Sequence, residues 1–91
     1  MQYKNEKTLH LIKTFGQIIK KTREKNTSKS QTLLAYEYEL DSGNLSRIEN
    51  GKIDSKLTML WRISEALGVP LSQIIKSLED ELGEDFHIID Q

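Results

Sequence analysis

Asn44 and Arg47 stand three residues apart, with Ser42 and Gly43 just before them. On a helix that spacing puts both long polar side chains on one face, a turn apart. An amide can pair with both edge groups of adenine, and a guanidinium with both of guanine. Ser42 can donate or accept, and Gly43 would let a backbone approach closely. A second polar set surrounds the first. Ser30 could cap a helix whose leading amides suit a phosphate, and Asn50, Lys52 and Lys56 follow the Asn44–Arg47 segment. Groups of these types hold a nucleic-acid backbone while others read the bases. The plain alternatives are a phosphate contact alone for Arg47 and solvated surface charge for each lysine.

Other chemistries find less support. His10 and His87 are far apart, and no His, Asp and Glu spacing suggests metal ligation, so both read as solvated surface. Cysteine is absent, which removes disulfides and thiolate metal sites. The serines lack a nucleophile elbow, and no glycine-rich phosphate loop is present. No catalytic residue, metal or cofactor is expected.

The net charge of −1 hides an asymmetry. Through Arg62 there are 12 Lys and Arg against 7 Asp and Glu, whereas from Ile63 onward there are 1 and 7. A basic body thus precedes an acidic tail. No apolar run approaches the roughly 20 residues that cross a bilayer, and residues 1–7 lack an apolar signal core. The expectation is a soluble cytoplasmic protein with no membrane association.

The elements that must carry these groups follow from helical periodicity. Leu9, Ile12, Phe15 or Gly16, Ile19 and Arg23 predict a first helix over residues 5–25, followed by a polar loop at 26–29. Ser30 caps a short second helix at 31–38, with Leu33, Leu34 and Ala35 as its apolar face. A tight connection leads to Asp41 or Ser42 as the next cap and to a third helix at 42–49, ended by Asn50-Gly51. Asp54 or Ser55 caps a fourth at 56–67, with a stripe of Leu57, Leu60, Ile63 or Ser64, and Leu67. Gly68 and Pro70 stop it, and a fifth runs over 71–82. Trp61 reads as a core or helix-packing residue, with an exposed interface anchor as the alternative. The fold class is therefore a compact all-α domain.

Two short helices joined by about three residues satisfy the helix-turn-helix geometry, although any bundle has short connections. The residues are more specific. SQTLLAYEYELDSGNLSRIENG, residues 30–51, resembles without a gap the helix-turn-helix of the Cro-like, xenobiotic-response-element (phage-repressor type) family. Ser30-Gln31, Leu34-Ala35 and the Leu45-Ser46, Ile48, Glu49, Gly51 run carry the likeness. Phe15-Gly16, Ile19 and Arg23 extend it backward, and Leu57, Leu60, Ile63 and 66–69 extend it forward. Departures are Thr22 in a usually apolar place, a longer 26–29 loop, Ser55 for a common proline, and Glu39 in the turn position usually held by glycine.

The resemblance implies a five-helix, lambda-repressor-like DNA-binding domain. Ser42, Gly43, Asn44 and Arg47 would read bases from the third helix, while Ser30, Gln31, Asn50, Lys52 and Lys56 would contact phosphates. Arg23 and Glu49 would form a structural ion pair rather than a catalytic site. Residues 1–14 become an extension of the first helix, 15–75 the DNA-binding domain, and 76–91 an acidic tail available for dimerisation or a partner. Ile74, Ile75, Leu78, Leu82, Phe86, Ile88 and Ile89 are candidates for a dimer contact. The expected function is transcriptional regulation of double-stranded DNA, as a repressor acting as a homodimer on a pseudo-palindromic operator. An antitoxin that also neutralises a small protein partner is the alternative, and a helix-turn-helix used only for protein contacts a third.

Overall fold

The computed structural model describes residues 5–89. They form α1 (Glu6–Asn26), α2 (Gln31–Glu37), α3 (Ser42–Glu49), α4 (Leu57–Leu67) and α5 (Leu71–Leu82), with no strand among them. Residues 1–4 of the expected N-terminal extension and 90–91 of the tail lie outside the described residues.

Local chemistry sets the boundaries. Asn5 Oδ1 accepts from the Lys7 amide at 2.7 Å and opens α1. Ser30 Oγ accepts from the Leu33 amide at 3.2 Å and opens α2. Asp41, rather than Ser42, caps α3 through the Asn44 amide at 3.0 Å. Each bond satisfies one of the amides that a helix start leaves without an internal partner. Gly68 closes α4 in the left-handed region, at φ 72°.

The expected cap of α4 is overturned. Lys56 takes the extended capping conformation and makes no side-chain cap bond. Asp54 and Ser55 therefore precede the capping position rather than occupy it. Ser55 Oγ is buried without a hydrogen-bond partner in the structure.

The core gathers Ile19, Leu34, Leu45, Ile48 and Ile63, each almost fully buried. All three helices around the turn contribute to it, as does α4. α5 adds Ile74, which belongs to the same cluster, and buries Leu78. These two residues are thus committed to the protomer's own interior and are not a dimer contact. Expectations also change on α4 and α2. α4 buries only its second half, through Ile63, Ser64, Ala66 and Leu67. In its first half Met59 packs against the core, but Leu57 stays 69% and Trp61 58% exposed. Leu33 is also exposed, because Leu34 and Ala35 alone face inward from α2.

Past α5 the chain turns back along α1. Asn5 Nδ2 donates to the Ile88 carbonyl at 3.4 Å. The His10 and Phe86 rings meet at 5.9 Å with a tilt of 56°. His10 is exposed, as expected, with the Phe86 ring as its neighbour.

Candidate nucleic-acid interface

α3 presents its leading face outward. Ser42 and Arg47 are exposed and Gly43 and Asn44 half-buried, whereas Leu45, Ile48 and Glu49 turn inward. This partition follows from the helical period, since Leu45 and Ile48 are three apart on the buried side. The Asp41 cap fixes the first turn from which Asn44 projects. Arg47 Nη1 donates to Asn44 Oδ1 at 2.7 Å, joining the two candidate base readers. The guanidinium lies over Gly43: a Cβ there would sit 3.5 Å from Arg47 Nη2 and 3.0 Å from Asp41 Oδ1.

The candidate phosphate contacts divide. Ser30, Asn50, Lys52 and Lys56 are all exposed. Asn50 caps the end of α3, with its amide 3.4 Å from Ser46 Oγ. Gly51 follows at φ 69°, which turns the chain so that Lys52 leaves the helix end. Gln31 behaves differently. Its amide donates to Glu49 Oε1 at 2.7 Å, so one of the two N–H groups of the expected phosphate contact is engaged within the protein. Lys29 Nζ bonds Glu37 at 2.7 Å and lies 5.8 Å from the centre of the Tyr38 ring. The Glu37 hydrogen bond holds that ammonium above its ordinary pKa.

Arg23 and Glu49 form the expected ion pair in forked geometry. Nε reaches Oε2 at 2.7 Å and Nη2 reaches Oε1 at 2.9 Å. The Glu49 side chain is 1% exposed and that of Arg23 11%. Hydrogen bonding to Glu49 raises the Arg23 pKa further above its ordinary value, against the opposing effect of burial. Arg23 Nη1 also donates to the Lys29 carbonyl at 3.1 Å. The pair therefore ties α1 to the end of α3 and to the loop before α2. With Gln31 included, one carboxylate collects groups from both neighbouring helices and fixes the recognition helix relative to them. Bidentate, charge-assisted bonds of this kind are directional as well as strong.

Two positioning features were not assigned from sequence. Gly16 faces the last turn of α3, where a Cβ would meet the Glu49 carbonyl oxygen at 2.9 Å and that of Ile48 closer still. Gly51 packs against Lys13, whose Cα would lie 2.9 Å from an added Cβ. Gly16 sat on the predicted apolar stripe, and a glycine inside a strong helical pattern was the available signal. Nothing in the pattern announced Lys13. Among the described residues no group of His, Asp and Glu is placed to hold a metal, and no helix is long and apolar enough to cross a membrane.

An outward polar helix, seated by a buried ion pair behind a short turn, defines a DNA-binding helix-turn-helix protein. Residues 19–74 match the family model described as Helix-turn-helix. The chain is 40% identical to control protein C.MunI from a Mycoplasma species over 67 residues, 74% of this chain and 90% of that one. The crystal structure of the restriction-modification controller protein C.AhdI from Aeromonas hydrophila is similar, with TM-score 0.64 and 25% identity, over 71% of this chain and 96% of that one. The chain belongs to the Cro-like, xenobiotic-response-element helix-turn-helix family and is a transcription regulator of control-protein type. Proteins of this family bind double-stranded DNA and are regulators rather than enzymes.

Proposed function

We propose that the chain is a dimeric, sequence-specific controller of restriction-modification genes that binds a pseudo-palindromic operator and represses where that operator overlaps a promoter. The outward face of α3 carries this reading: Ser42, Gly43, Asn44 and Arg47 are assigned to bases, and Ser30, Asn50, Lys52 and Lys56 to phosphates. Gln31 is assigned to holding Glu49. The named roles of C.MunI and C.AhdI favour a controller over the antitoxin alternative.

Dimerisation is supported by the exposed apolar face of α4 and the start of α5. Leu57 and Trp61 are one turn apart there, and Trp61 lines a cleft with Val69, Leu71 and Ile75. A single unit of this size reaches one half-site, and two-fold pairing of such units doubles the contact. The test is selection of bound duplexes from random DNA, followed by salt titration of the winner. A two-fold symmetric consensus whose binding weakens steeply with salt is expected. Binding that ignores both sequence and salt would overturn the proposal.

A further inference from the structure

We infer that Asn44 and Arg47 read DNA as one donor-only unit, so that each half-site carries hydrogen-bond acceptors on two neighbouring base pairs: guanine opposite Arg47, and guanine or thymine opposite Asn44. This rests on the base-reading role proposed for α3.

The starting point is the 2.7 Å bond from Arg47 Nη1 to Asn44 Oδ1. Guanidinium has donors and no acceptor, so only the amide oxygen of Asn44 can face it. The pair therefore fixes the orientation of an amide that could otherwise flip. The Asn44 oxygen is held by the protein, and its NH2 group is turned away from the guanidinium. Arg47 uses one N–H on Asn44 and keeps the rest of its fork. What the pair offers a base is then a set of donors.

Base edges respond differently to such a set. Guanine presents O6 and N7, both acceptors, and thymine presents O4. Adenine sets an amino group beside its N7, and cytosine presents an amino group alone. The two-bond pairing of Asn with adenine needs the oxygen and nitrogen of the amide together. Here that oxygen serves Arg47, so adenine requires the pair to break or share it, whereas guanine and thymine require no change. Three residues of helix rise about 4.5 Å, close to one base-pair step of about 3.4 Å, which puts the two contacts on neighbouring pairs. Asp41 and Gly43 support the arrangement. Asp41 caps the turn that carries Asn44, and Gly43 keeps a Cβ from crowding the Asp41 carboxylate, which it would meet at 3.0 Å.

The test compares duplexes selected from random DNA by the full chain and by Asn44→Asp and Asn44→Ala, with circular dichroism to verify folding of each. The position that changes preference in Asn44→Asp is the one Asn44 reads. Wild type should show guanine or thymine there, beside a guanine. Asp offers acceptors alone while still holding Arg47, so it should move that position to cytosine or adenine. Asn44→Ala removes the buttress, and preference for the neighbouring guanine should also fall by about five-fold or more. Adenine at the Asn44 position of the wild-type consensus would overturn the inference, as would an undiminished guanine preference in folded Asn44→Ala. No enrichment by wild type would overturn the base-reading role itself, and this inference with it.

Discussion

Gly16 lies so close to the Ile48 carbonyl that the two helices carrying them leave no space for a methyl group between them. Gly16→Ala would ordinarily favour a helix by about 1 kcal/mol. Here the added carbon meets backbone oxygens of α3, which cannot rotate aside. Overpacking of this kind costs about 1–3 kcal/mol, and the backbone nature of the obstacle places this case at the upper end. The variant should be destabilised in urea titration despite its better helix propensity. Operator affinity should fall as well, because α3 must shift to make room.

The buried ion pair gives an asymmetric prediction. Arg23→Ala leaves the Glu49 carboxylate inside the protein with only the Gln31 amide opposite it. Removing one side of such a pair costs about 3–5 kcal/mol. Arg23→Met combined with Glu49→Leu removes both charges and should lose less stability than Arg23→Ala alone. Denaturant midpoints of the two variants measure the difference. A double variant less stable than Arg23→Ala would mean that the ion pair itself, rather than the stranded charge, sets the cost.

Glu39 has φ 56°, in the left-handed region, where its position between α2 and α3 favours glycine. Glu39→Gly should stabilise the fold by about 1 kcal/mol, the penalty a side chain meets there. For a domain of this size that is a melting-temperature rise of about 4–8 °C. Glu39→Gln keeps the backbone strain and removes only the charge, so its melting temperature should stay near wild type. If the charge also repels the operator, both variants bind DNA more tightly and Gln separates the two effects.

The limits of legibility follow from what each residue signals. α3 and α5 are readable to within about a residue at each end, because Gly51, Pro70 and Gly83 punctuate strong apolar patterns. The Arg23–Glu49 link was legible only through family resemblance, since 26 positions separate the partners and neither announces the other. Gln31 has two credible uses, phosphate or Glu49, and only the packed geometry shows its amide on Glu49. Leu57 and Trp61 fit an apolar stripe as well as Ile63 does. Periodicity identifies a face but not how far along it the core extends, so their exposure was not readable. The same ambiguity kept Ile74 and Leu78 among the candidates for a dimer contact, although they fill the interior.

Lys52 and Arg47 should respond to substitution in different ways. Lys52 is exposed just past the end of α3, and Lys52→Ala should weaken every DNA site alike and lower the salt slope by about 1. Arg47→Ala should cost about 1–3 kcal/mol on the preferred operator and far less on unrelated DNA. Fluorescence anisotropy at several salt concentrations, on both kinds of duplex, distinguishes them. Equal losses on the two duplexes for Arg47→Ala would reassign it to phosphate.

The α4 surface can be tested without disturbing the core. Truncation after Lys76 is a poor probe of dimerisation, since it would delete the buried Leu78. Leu57 and Trp61 are exposed in the protomer, so Leu57→Ser with Trp61→Ser should change its stability little, within about 1 kcal/mol. If they seat a second copy, the double variant should sediment as a monomer where wild type sediments as a dimer. Affinity for a full operator should drop toward that for a half-site. Trp61 is the chain's single tryptophan, so it also reports directly. Its wild-type emission should shift to the red on dilution as the ring returns to water. A dilution-independent spectrum together with an intact dimer in the double variant would move the interface away from α4.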